Sequence, residues 1–320
     1  MSPKPLIHNG HLQTILGNFW RRPQSELQFP LSRRLYQTEP GIQVAVDEQT
    51  PKSPQAHAVL VHGLEGSSNS GYIRSLSRDL LHANFAIHRF NMRSCGGTEH
   101  LAPSNYHAGQ TSDLRHVIEA IGHEHRQPIV LIGYSLGGNA SLKLAGELNT
   151  TSRLTGVCAV STPIDLEACA DRLNTRSNTI YQRRFLTALK DRVRRRHRTQ
   201  PDLYDLSHLP KLRSIWDFDE AYTSKLFGFG TARNYFRTQS SKNYLRDISV
   251  PCLLIQAKDD PMIPYEVYER ALPDIQANPH IRFLPFETGG HVGFLSKQNP
   301  RFWIDPIITN WAVEIVRNKS

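Results

Sequence analysis

The sequence predicts an α/β protein with a mostly parallel central sheet, helices on both of its faces, and a helical insertion. Three observations carry this expectation. Short apolar runs alternate with longer stretches of helical periodicity along most of the 320 residues. Several of the runs are continuously apolar rather than alternating, as strands covered on both faces must be. One interval, 165–246, breaks the rhythm and contains no convincing buried strand, only aromatic and basic residues at helical spacing.

Taken in order, strands are expected at 42–47, 57–61, 85–90, 128–132, 154–160, 251–257 and 280–286. Helices are expected at 71–83, 113–125, 135–148, 266–272 and 302–317. In the interval without strands, Tyr181, Phe185, Leu189 and Val193 recur every fourth position and mark one apolar helix stripe, with arginines elsewhere. The chain therefore divides into a core of residues 1–165 and 246–320 and a helical cap of residues 166–245 lying over the carboxyl end of the sheet.

At 39% apolar residues the chain can bury a sizeable core. Its first thirty residues are polar and punctuated by proline, with no hydrophobic signal core, and no run approaches the roughly 18–20 apolar residues of a spanning helix. A cytoplasmic location is the expectation. Cys95, Cys158, Cys169 and Cys252 are too far apart for a C-x-x-C pair, so neither a disulfide framework nor a thiolate metal site is expected. The net charge of +9 is concentrated: residues 183–198 hold eight Lys and Arg against Asp191 alone. That concentration removes the force of a whole-protein nucleic-acid argument. The stretch reads first as a solvated basic face, and second as a peripheral contact with an acidic membrane surface. No P-loop and no G-x-G-x-x-G fingerprint occurs, so no nucleotide cofactor is expected. The pairs His123/His125 and His197/Asp202 lack the companions that a metal site or an acyltransferase motif needs.

The chemistry centres on Gly133-Tyr134-Ser135-Leu136-Gly137, between a strand-like and a helix-like run. A serine at such a switch is held in a sharp turn that flanking glycines permit, with a helix N-terminus behind it. Serine needs a base, itself oriented by a carboxylate. Downstream, Ala257-Lys-Asp-Asp-Pro261 and Gly289-Gly-His-Val-Gly293 offer both, each just past a predicted strand. The order Ser, Asp, His is that of α/β-hydrolases. His291 is the base. Asp260 is favoured as the acid because it directly precedes Pro261 and stands four residues before Pro264; Asp259 remains the rival, suited to bonding loop amides. An oxyanion hole needs two amides. Leu136, after the serine, and Leu64, in the loop His62-Gly-Leu-Glu-Gly-Ser67, are the expected donors, with His62 shaping that loop.

These motifs, together with Asn9-Gly-His-Leu-Gln-Thr14, Asn91-Met-Arg-Ser-Cys-Gly96, Tyr106-His-Ala-Gly109 with Asp113, and Trp216-Asp-Phe-Asp-Glu220 with Thr223 and Gly228-Phe229, follow one another along nearly the whole chain. In this order they resemble the YheT-like branch of the α/β-hydrolases, bacterial proteins related to animal abhydrolase-domain and plant EMB-type proteins. The central motif departs from the family's common form, in which an aromatic residue and a glycine flank the arginine. The resemblance implies an α/β-hydrolase fold and a hydrolase of carboxylic esters, acyl or lipid-like, with the triad Ser135, Asp260 and His291 and no cofactor. Its partner would be a small-molecule ester. Arg93, Tyr106 and His107 read as structural supports. An acyltransferase using the same triad and a non-catalytic ligand- or partner-binding relative are the rival readings.

Overall fold

A computed structural model describes residues 4–23, 29–148 and 153–318. Eight strands form one sheet: β1 (Ser32–Glu39), β2 (Ile42–Gln49), β3 (Ala56–Val61), β4 (Phe85–Phe90), β5 (Ile129–Tyr134), β6 (Leu154–Val160), β7 (Cys252–Ala257) and β8 (Ile281–Phe286). Their spatial order is β1-β2-β4-β3-β5-β6-β7-β8. The β1–β2 hairpin is antiparallel and joins β4 antiparallel, and every later pairing is parallel.

The helices are α1 (Gly10–Phe19), α2 (Gly71–His82), α3 (Ser112–Glu124), α4 (Leu136–Glu147), α5 (Leu166–Leu173), α6 (Thr179–His197), α7 (Ile215–Phe218), α8 (Ser224–Leu226), α9 (Ala232–Gln239), α10 (Glu266–Ala277) and α11 (Ile304–Arg317). The continuous apolar runs divide between two cores by strand alternation. Val59, Leu131, Val157 and Leu254 pack with α3, α4 and α10, while Leu60, Ile132, Cys158 and Leu253 pack with α2 and α11. Between β6 and β7 the chain builds α5–α9, and part of it has a core of its own around Leu189, Val193, Tyr204 and Phe218.

Three elements differ from expectation. Strand β1 was not foreseen because its sequence, SRRLYQTE, buries only Tyr36 at the sheet edge. Helix α1 coincides with the first motif, which carries no long apolar stripe. Helix α10 runs past Pro273 to Ala277, since packing of Val267, Tyr268, Ala271 and Ile275 offsets the backbone bond that proline cannot make.

The basic stretch also needs correction: it is not a uniformly solvated face. Arg192 and Arg196 are buried on the inner side of α6. Arg196 donates from Nε to Asn105 Oδ1 at 3.1 Å, and from Nη1 to the carbonyls of Glu99 (2.6 Å) and Ala102 (2.7 Å). Its Nη2 donates to Ser94 Oγ and, at 2.5 Å, to the Ser104 carbonyl. One guanidinium thus holds the loop that follows β4 against α6. Arg196→Ala strands several of these acceptors and is expected to cost about 3 kcal/mol of stability, while the exposed Arg194→Ala changes it by less than about 0.5 kcal/mol. Denaturant unfolding of the two variants tests the contrast.

Candidate active site

Strand β5 ends at Tyr134 and α4 begins at Leu136, so the whole reversal falls on Ser135, which adopts φ 52° and ψ −123°. A Cβ on Gly133 would sit 2.5 Å from Ser141 Oγ, and one on Gly137 would sit 2.5 Å from the Val61 carbonyl oxygen. Close packing of strand, turn and helix, rather than flexibility, therefore demands both glycines. Among the described residues seven non-glycine residues have positive φ, and four of them, Ser135 itself with Glu65, Ser161 and Val292, lie at or around this turn. Strain collected in this way marks a site whose surroundings over-determine its geometry.

Ser135, His291 and Asp260 form one hydrogen-bonded chain. His291 Nε2 lies 2.9 Å from Ser135 Oγ, and Nδ1 lies 2.9 Å from Asp260 Oδ2. Asp260 is buried, and its Oδ1 accepts the amides of Met262 (2.9 Å) and Ile263 (3.1 Å), while Gln256 Nε2 reaches Oδ2 at 3.3 Å. Asp259 faces elsewhere: its Oδ1 accepts the amides of Gly289 and Gly290, both at 2.8 Å, and burial raises its pKa. It braces the loop that carries His291.

The N-terminal motif braces the same loop. Asn9 caps α1 through the Leu12 amide at 3.0 Å. Thr14 Oγ1 accepts the His291 amide at 2.8 Å. Gln13 donates to the Leu295 carbonyl at 3.1 Å and accepts the Leu295 amide at 2.7 Å. Gly10 passes so close to the Asp259 carbonyl that no side chain fits there. None of this was legible from residue types, since an Asn-Gly-His-Leu-Gln-Thr string announces no partner 280 residues away.

Leu64 and Leu136 both border the space in front of Ser135. Leu136 opens α4, where amides have no acceptor within the helix. The loop of Leu64 is fixed on both sides: the Gly63 amide donates to Tyr72 Oη at 2.9 Å and the Glu65 amide to Tyr106 Oη at 3.0 Å. His62 ties this loop to the next, with Nδ1 against the Gly63 carbonyl at 2.8 Å and Nε2 accepting the Met92 amide at 3.2 Å. Burial lowers its pKa to about 4, so it is a neutral brace. Arg93 grips Asp113 through Nε (2.6 Å) and Nη2 (2.8 Å) and also reaches Glu39 at 2.5 Å, linking β1, α3 and the central motif.

Two cavities meet at Ser135 and His291. An inner one of about 120 Å³ has apolar walls that include Leu166, Phe185, Leu189 and Phe218. An outer cleft of about 450 Å³ runs between α1 and the start of α6. Polar groups not foreseen as lining a cavity, His107 among them, also line the inner one. Arg192 pairs with Glu65 at 3.0 Å beside the ring of Tyr106. His107 is ringed by Phe227, Phe229 and Tyr235, and burial lowers its pKa to about 3. Asp219 starts a π-helical turn, Asp219–Thr223, and accepts from Thr223 Oγ1 at 2.6 Å. His107, Glu65 and Asp219 lie in motifs visible in the sequence, but only the fold shows that they share this cavity. Among the described residues, no cluster of His, Cys, Asp and Glu has metal-binding geometry.

Burial raises the Asp219 pKa to about 7. An unfolded aspartate ionises near pH 3.9, so between roughly pH 4 and 7 the native state holds a proton that the unfolded state has lost. Stability contributed by this group is therefore lost as pH rises through that window. Asp219→Asn is expected to raise stability by about 2–4 kcal/mol at pH 8 and by much less at pH 4.5, as thermal unfolding at the two pH values will show.

Comparison with known proteins gives the family. The sequence pattern of the α/β hydrolase fold matches residues 57–298. The YheT protein of Escherichia coli, whose name marks it as a candidate esterase, is 31% identical over 98% of this chain and 92% of its own length. The monoacylglycerol lipase of Saccharomyces cerevisiae is 28% identical over 77% of this chain, which spans 56% of the lipase. Among solved structures, the esterase Pf2001 of Pyrococcus furiosus superposes with a TM-score of 0.61 at 16% identity, covering 93% of this chain and 98% of its own. The sheet order, the elbow at Ser135 and these matches together place the chain in the YheT-like branch of the α/β-hydrolase fold family.

Proposed function

We propose that this protein is a serine hydrolase of carboxylic esters that works through an acyl-enzyme. The single observation that most supports this reading is the Ser135–His291–Asp260 chain, with both contacts of His291 at 2.9 Å, set where two cavities meet. The names of the relatives, an esterase and a lipase among them, point the same way.

In this mechanism His291 Nε2 takes the Ser135 proton as Oγ bonds to the ester carbonyl carbon. Asp260 holds the imidazole through Nδ1–H and balances its positive charge. Its oxygens also accept two amides and a glutamine N–H, which fix the carboxyl group in place against the imidazole. The carbonyl oxygen becomes an oxyanion held by the amides of Leu64 and Leu136, with the N-terminus of α4 behind it. The C–O bond to the alcohol then breaks and His291 protonates the departing oxygen. Water attacks the acyl-enzyme by the reverse route and releases the carboxylic acid. The apolar residues of 166–245, acting as a cap, would hold the acyl chain in the inner cavity, leaving the outer cleft to the alcohol.

A fluorophosphonate probe should label the native protein at Ser135, not label Ser135→Ala, and label His291→Ala at least about 100-fold more slowly. A native protein that stays unlabelled, or a His291→Ala variant that labels as fast, overturns the reading. Esters graded by chain length would then size the acyl pocket.

A further inference from the structure

The described residues expose seven large apolar side chains, and four of them gather in one place. Phe19 is 77% exposed and Ile180 70%, the highest values of the set, and Trp20 and Leu12 are 41% and 46% exposed. Phe19, Trp20 and Ile180 rim the outer cleft, whose floor holds Ser135 and His291. Leu12 stands seven residues before Phe19, two turns away on the same face of α1. The ring of His11 stacks on Tyr181, which keeps α1 against the start of α6 and so keeps the four residues together. Clustered apolar side chains around a cleft mouth mark an interaction surface, whereas scattered ones need no explanation.

The two segments that carry the rim bear charge of one sign. Residues 4–23 contain Lys4, Arg21 and Arg22 and no carboxylate, and residues 174–190 contain Arg176, Arg183, Arg184 and Lys190 and no carboxylate. Arg21, Arg176, Arg183 and Arg184 are exposed. Apolar side chains on segments that carry cations match an anionic phospholipid surface, since the nearby acids Glu65 and Asp79 are paired with Arg192 and Arg78; the apolar groups enter the acyl boundary and the cations meet the phosphates. No helix among the described residues is long and apolar enough to cross a membrane, so the contact is peripheral.

We infer that the rim of Phe19, Trp20, Leu12 and Ile180, with Arg183 and Arg184 beside it, docks the protein on an anionic lipid surface and turns the outer cleft toward the bilayer. This moves the lipid contact from the length of α6, whose Arg192 and Arg196 are buried, to the start of that helix and to α1. The inference rests on the ester-hydrolase reading for its purpose, the entry of a lipid ester from the membrane, but its test does not depend on turnover.

Co-sedimentation with vesicles of phosphatidylcholine alone, and of phosphatidylcholine with phosphatidylglycerol, tests it at low and high salt. The native protein should bind the anionic vesicles, and binding should fall with salt. Phe19→Ser combined with Ile180→Ser should weaken binding at least about tenfold. Arg183→Gln combined with Arg184→Gln should weaken it about 30-fold, at ~1 kcal/mol per cation. Leu35→Ser, an exposed apolar side chain on β1 at the far edge of the sheet, should leave it unchanged. Thermal unfolding confirms that each variant is folded. Absence of vesicle binding, equal binding to neutral and anionic vesicles, or an equal loss in Leu35→Ser overturns the inference. Vesicle binding by a protein whose Ser135 resists fluorophosphonate leaves the docking surface standing and removes the esterase.

Discussion

Asp260→Asn is expected to lower kcat for ester hydrolysis by about 10⁴-fold, with KM little changed. The cause lies in which oxygen each neighbour uses. Asp260 Oδ1 accepts two backbone amides, so an asparagine must keep its carbonyl oxygen there and turn its NH₂ toward His291. That NH₂ donates to Nδ1, puts the imidazole proton on Nε2, and leaves no base facing Ser135. Asp259→Asn should cost about tenfold or less, because an amide oxygen can still accept from Gly289 and Gly290. Steady-state kinetics on the two variants decide between the carboxylates, and the opposite ranking would transfer the role of acid to Asp259.

Gly137→Ala is expected to destabilise the protein by about 3 kcal/mol or more. The new methyl group meets the carbonyl oxygens of Val61 and His62, at the end of β3. That strand is paired on both sides, with β4 and β5, so the carbonyls cannot retreat without disturbing the middle of the sheet. Gly228→Ala is the matched control. It also burdens a glycine with a side chain, at φ +71°, but meets nothing within 4 Å, and it should cost only about 1 kcal/mol. A lower midpoint of denaturation at constant m would show that stability alone has changed.

Much of the core was legible because parallel strands buried on both faces must be apolar at every position. The run Ile129-Val-Leu-Ile132 needs no alternation to be recognised, since Val130 and Ile132 serve one core and Leu131 the other. Ser135 and His291 were legible for a related reason: a glycine-flanked serine and a Gly-Gly-His are local signatures tied to strand ends. Strand β1 was hidden because an edge strand with one buried side chain looks like a polar loop. The inner cavity was hidden because its polar groups come from four separate stretches, Glu65, His107, Arg192 and Asp219, that only the fold brings together. The basic run shows the limit most clearly. Arg192 and Arg196 recur at helical spacing with Leu189 and Val193, but a side chain that can snorkel looks solvated in sequence even where, as for Arg196, three carbonyls, a hydroxyl and an asparagine side chain wait for it.

The meeting of two cavities at one serine has a kinetic consequence under the acyl-enzyme mechanism. Once the alcohol leaves by the outer cleft, that same cleft is the approach for whatever ends the cycle, while the acyl chain stays in the inner cavity. Water and any free alcohol then compete for a single doorway to His291. The choice of acid is made on one side of Ser135 and the fate of the acyl group on the other. Substitutions among Leu166, Leu189 and Phe218 should therefore change which esters are attacked without changing how product divides between acid and new ester. Substitutions along α1 should do the reverse, making selectivity and outcome two traits that can drift apart independently.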